Sequence, residues 1–169
     1  MGRQILVPLD GTVAAEGGLV WARREARRAG SSVHVLMVRP PTELLVVDGP
    51  SLVDRGEVEM RARARATAYL SALVLWLRAS AISATFELRL GDLVDTILQV
   101  SREVGADLIA LGGPAAEGVP GLLDRRALGE IAVHASVPVV VTAERGWSGP
   151  APAVDTNMSS PRHAVVTHA

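Results

Sequence analysis

The chain has no cysteine and no lysine among its 169 residues. The first absence excludes disulfides and thiolate chemistry and fits a reducing compartment. The second makes arginine the whole basic complement, 17 residues against 18 acidic ones. With a formal net charge of -1, nothing in the overall balance calls for nucleic acid or an anionic membrane surface as a partner. Long apolar runs are missing too: no window approaches the roughly 18 consecutive apolar residues that span a bilayer. The short run after Met1-Gly2-Arg3-Gln4 meets Pro8 and Asp10 too soon to be a signal-peptide core. A cytoplasmic protein is expected. What the sequence does have is 49% hydrophobic content, enough to fill the core of one domain.

Short β-branched apolar runs alternate with longer stretches of helical period, the pattern of βαβ units around a parallel sheet. Strands are expected at Ile5 to Leu9, Val33 to Val38, Thr85 to Leu90, Asp107 to Leu111 and Pro138 to Thr142. The first helix is expected from about Val13 to Ala29, with Ala15, Leu19, Ala22 and Ala26 forming its buried stripe. A second, from about Glu57 to Ala79, sets Val58, Ala62, Ala66, Tyr69, Leu70, Leu73 and Leu77 on one side, while Arg61, Arg63 and Arg65 read as a solvated surface. Asp92 suits an N-cap and Asp95 favours the positive end of the third helix. A short fourth helix runs from about Arg125 to Ala135. The connection from about Arg39 to Gly56 is unusually long, and its Leu44-Leu45-Val46-Val47 segment is expected to pack back on the domain, the alternative being that it covers a cleft or a partner. Residues 1–142 form the domain, and the Gly-, Pro-, Ser- and Thr-rich stretch 143–169 reads as a disordered tail.

Right-handed crossovers leave few arrangements for five parallel strands, and order 3-2-1-4-5 is the expected one. The fold class is then a single-domain, doubly wound, Rossmann-like α/β sheet. Its ligand crevice lies outside the carboxyl ends of the first and fourth strands, and Asp10 and Gly112 are both expected to face it. No candidate triad or metal cluster gathers there, and one carboxylate is not an acid/base pair. Catalytic and metal-ligating residues are therefore expected to be none. His34 falls in a strand, His134 near a helix end, and His163 and His168 in the tail.

Four stretches together resemble the universal stress protein family over about residues 3 to 142. They are Ile5-Leu6-Val7-Pro8-Leu9-Asp10-Gly11-Thr12, Gly91-Asp92-Leu93-Val94-Asp95-Thr96-Ile97-Leu98, Gly105-Ala106-Asp107-Leu108-Ile109-Ala110-Leu111-Gly112 and His134-Ala135-Ser136-Val137-Pro138-Val139-Val140-Val141. The resemblance implies an adenine nucleotide alpha hydrolase-like fold and a homodimer paired through the last strand, Pro138 to Thr142. Trp147 or the tail capping that edge is the competing expectation.

Nucleotide-binding members of that family hold phosphate with three glycines and a Ser or Thr at the head of the fourth helix. Glycines admit backbone amides close to the phosphates, and the helix N-terminus favours anions. In this chain Gly112 matches the first glycine, but Ala115 stands at the second, Arg125 at the third and Arg126 at the Ser/Thr position. Arg125 either fills the phosphate site or joins Arg126 in supplying charge-assisted bonds to phosphate. Pro8, Asp10, Thr12 and Val38 match positions lining the adenosine end, though Asp10-Gly11-Thr12 also serves as an ordinary turn and Val38 as core. The resemblance implies a non-enzymatic stress protein with no cofactor, acting on an unidentified client protein. The alternative is an ATP or AMP binder, or slow ATPase, using Asp10, Val38, Gly112, Arg125 and Arg126.

Overall fold

A computed structural model describes residues 2–40, 55–113 and 123–142. In chain order it contains β1 (Gln4–Leu9), α1 (Glu16–Ala29), β2 (Ser32–Arg39), α2 (Arg55–Arg78), β3 (Ala84–Leu90), α3 (Leu93–Glu103), β4 (Leu108–Gly112), α4 (Arg125–His134) and β5 (Val139–Thr142). The strands form one parallel sheet in the order β3-β2-β1-β4-β5, as the alternating pattern predicts. Leftward crossovers from β1 to β2 to β3 and rightward ones from β3 to β4 to β5 put α1 and α2 on one face and α3 and α4 on the other. Two-sided cover explains why β1 and β2 are nearly continuous apolar runs with both faces buried. Among the described residues no helix is long and apolar enough to cross a membrane.

The α1 stripe of Ala15, Leu19, Ala22 and Ala26 is buried as the periodicity requires. Its small residues bring the helix unusually close to β4. A Cβ on Gly18 would stand 2.7 Å from the Ala110 carbonyl oxygen, and one on Gly112 would stand 2.7 Å from Ala15 Cα and nearer still to the Ala14 carbonyl. Gly112 is thus a packing residue, whatever else it does.

Boundaries differ in places. Regular helix begins at Glu16, not Val13, because the Thr12 hydroxyl accepts from the Ala15 amide at 3.2 Å and holds a tight turn first. On α2, Val58 is exposed and Ala62 only half-buried, while Ala66, Tyr69, Leu70, Leu73, Val74 and Leu77 are buried. The first turns of α2 therefore extend past the sheet that its later turns cover. The Leu44–Val47 segment, Ala115, Trp147 and the expected tail 143–169 lie outside the described residues.

Candidate functional site

The crevice at the strand-order reversal is built from the β1–α1 turn, the end of β4 and the head of α4. Asp10 organises it. Its Oδ1 accepts from the Thr12 amide at 2.9 Å and the Thr12 hydroxyl at 2.7 Å, while Oδ2 accepts from the Leu123 amide at 3.0 Å. One carboxylate therefore shapes its own turn and fastens it to the residue just before α4, 113 positions away.

At the head of α4 stands Asp124. Its extended backbone and its side chain, which accepts from the Ala127 amide at 2.8 Å, make it an N-cap. One of the first-turn amides that a helix end offers to an anion, that of Ala127, is thus already taken by a carboxylate of the same chain. Arg125 and Arg126 are both exposed. Arg126 Nε donates to Glu130 Oε1 at 2.9 Å, one turn along the helix, and that bond raises its pKa. Arg125 has no ion pair among the described residues.

Pro8 and Val38 are buried in strands, so they back the crevice from within the core. Gly112 is buried against the α1 turn. Asp10, Thr12, Gly112, Arg125 and Arg126 thus stand around one end of the sheet, while Ala115 lies outside the described residues.

Sequence reasoning missed two groups here. The first is Asp124: an Asp directly before a helical run is a recognisable N-cap signal, but the family register drew attention to the arginines that follow. The second is Glu16 with Tyr69. Glu16, in the first turn of α1, is only 8% exposed, and its Oε1 accepts from the buried Tyr69 hydroxyl on α2 at 2.5 Å. Burial above all, then the charge of Glu16 and its hydrogen bond, push the Tyr69 pKa up, and the Asp10 charge adds to this. Asp10 and Asp124 put two carboxylates beside the head of α4, where the exposed Arg125 and Arg126 also stand. Among the described residues no three His, Asp or Glu side chains cluster as metal ligands.

The sequence pattern that defines the universal stress protein family matches residues 1–143. The chain belongs to the universal stress protein family. Solved structures agree in fold. The universal stress protein of Lactobacillus plantarum superposes with a TM-score of 0.67 at 22% identity, covering 82% of this chain and 96% of that one. A universal stress protein in complex with cAMP gives 0.60 at 17% identity, covering 83% and 96%. The protein from Archaeoglobus fulgidus in complex with dAMP gives 0.53 at 21% identity, covering 83% and 97%. At these identities the likeness establishes the fold of this universal stress protein and not its ligand. No curated protein matches the chain.

Proposed function

We propose that this universal stress protein acts in the cytoplasm through protein contacts, as a homodimer, without holding ATP in its crevice and without catalysing a reaction. The observation that carries this reading is the Asp124 carboxylate on the Ala127 amide at the head of α4. A triphosphate docking there meets a fixed negative charge on one of the N–H donors, with the Asp10 carboxylate on the adjoining Leu123 amide. Loss of that donor removes one of the charge-assisted bonds that make phosphate binding strong. The dimer reading rests on the β5 edge. Val141 is 50% exposed there and Val133 on neighbouring α4 is 76% exposed, an apolar edge suited to pairing with a second copy and then to receiving a client protein.

A second reading, adenine-nucleotide binding with slow hydrolysis, draws support from the relatives crystallised with cAMP and dAMP. It also draws on the Asp10–Thr12 turn and on Arg126, whose exposed pair with Glu130 is easily exchanged for a phosphate. A mononucleotide needs only one phosphate contact. The two readings separate in a gain-of-binding experiment. The variant Ala115→Gly/Asp124→Ser/Arg125→Gly/Arg126→Ser restores the glycines, the hydroxyl and a neutral cap, and calorimetry should show it taking ATP where the parent does not. Failure of the variant to bind, although folded, would place the block elsewhere in the crevice.

A further inference from the structure

At the end of the sheet opposite the crevice, where α1 and α2 finish and β2 and β3 begin, lies an open depression of about 560 Å³. Gly2, Arg27, Ser31, Ser32 and Ser83 are among its walls. Four backbone amides around it are already committed. The Gly30 and Ser31 amides both donate to the Ala26 carbonyl, Ser32 N to Arg3 O and Val33 N to Ser83 O. Ser32 is committed as well, through its hydroxyl to Gln4 Oε1. Ser31 is different: only 5% of the residue is exposed, and its hydroxyl has no hydrogen-bond partner among the described residues. The Ser83 hydroxyl and the Arg27 guanidinium likewise have no partner among them.

The unused capacity is thus two hydroxyl donors and one guanidinium that can only donate. The charge balance has the same sign. Glu25, the nearby carboxylate on α1, is held by Arg28 at 3.0 Å and feels Arg3 and Arg24 as well, which together keep its pKa low. It is therefore not available to neutralise Arg27. Against this, the C-terminal end of α1 contributes roughly half a negative charge. The whole positive charge of Arg27 exceeds that, so the depression favours an anion. Its polar walls disfavour an apolar ligand, and Arg27 disfavours a cation.

We propose that this depression is a second ligand site, distinct from the crevice, that takes a phosphate group on Arg27, Ser31 and Ser83. A phosphate brings up to two negative charges and three or more acceptor oxygens, against one charge and two oxygens on a carboxylate, so it answers a forked guanidinium and two separate hydroxyls more fully. The ligand is either free phosphate or a small phosphate monoester.

The test is amide NMR of the full chain titrated with inorganic phosphate and, separately, with O-phosphoserine, at constant ionic strength, with acetate as the control. Saturable shifts at Gly2, Ser31 and Ser83 are expected, while Gly11 and Gly113 report independently on the crevice. Tighter binding of O-phosphoserine assigns the site to monoesters, and equal or weaker binding assigns it to the free ion. Arg27→Gln, an exposed substitution that leaves the fold intact, should weaken binding about tenfold or more, since it removes a charged hydrogen bond. Absent shifts, shifts that acetate reproduces, or binding unchanged in both Arg27→Gln and Ser31→Ala would overturn the proposal. None of these outcomes depends on whether the crevice takes ATP.

Discussion

Gly112 matches the first glycine of the family's phosphate loop, but its surroundings give it a different duty, and Gly112→Ala separates the two. A methyl group there would stand 2.7 Å from both Ala15 Cα and the Ala15 carbonyl oxygen, with the Ala14 carbonyl nearer still, whereas ordinary contact begins at 3.4 Å. The α1 turn must therefore retreat from β4 by roughly 0.7 Å or more, and every atom it meets is backbone, which cannot rotate away. Retreat also loosens the core on either side, where Leu19 of α1 and Leu111 of β4 are fully buried. Overpacking of this kind costs about 3 kcal/mol, which for a domain of this size lowers Tm by roughly 6–12 °C. Gly129 supplies the control. It lies inside α4 with open space where its Cβ would be, so Gly129→Ala should stabilise by about 0.5–1 kcal/mol through helix propensity alone. Urea unfolding of both variants in the absence of any nucleotide reads the difference directly. If Gly112→Ala is as stable as the parent to within about 0.5 kcal/mol, the close α1–β4 approach is not what holds this glycine in place.

Three further outcomes are expected. Tyr69→Phe removes the hydrogen bond to the buried Glu16 carboxylate and should cost about 1.5–3 kcal/mol in urea unfolding; a neutral result would mean that this bond contributes nothing net. His34, 8% exposed on β2, has its pKa lowered by burial first and by the Arg89 charge second. Glu87 lies 3.5 Å from its Nε2 and opposes the shift, but Glu87 is already paired with Arg89, so burial prevails. The folded state then binds fewer protons than the unfolded one, so the stabilising contribution is complete above about pH 6.5 and is lost as pH falls toward the depressed folded value. His34→Gln should flatten stability over that window, and an NMR midpoint for His34 above 6.5 would reverse the sign. Val141→Glu puts a charge on the β5 edge and should convert a dimer to monomer in light-scattering chromatography at micromolar concentration; an unchanged dimer mass would locate the interface elsewhere.

Much of the architecture was legible because its causes are local. Five β-branched runs, the Ala15–Ala26 stripe and the Asp92 cap, whose side chain accepts from Asp95 N at 3.0 Å, each carry their signal within a few residues. The strand order followed from crossover handedness. The site was less legible because its bonds join distant positions: Asp10 to Leu123, and Tyr69 to Glu16 across 53 residues. No periodicity encodes a side chain reaching a backbone amide on another element. The overhang of α2 was hidden for a related reason. Val58 and Ala62 continue the apolar spacing of Ala66, Leu70 and Leu73, and only the fold decides that the early turns find little to cover among the described residues.

The measurement that bears most directly on the proposed function is calorimetric titration of the unaltered protein with ATP, AMP and cAMP. With Asp124 on the Ala127 amide and Asp10 on that of Leu123, no saturable heat is predicted for ATP up to millimolar concentration. Micromolar ATP binding, lost in Arg125→Ala/Arg126→Ala, would contradict the account and hand the phosphates to the two arginines.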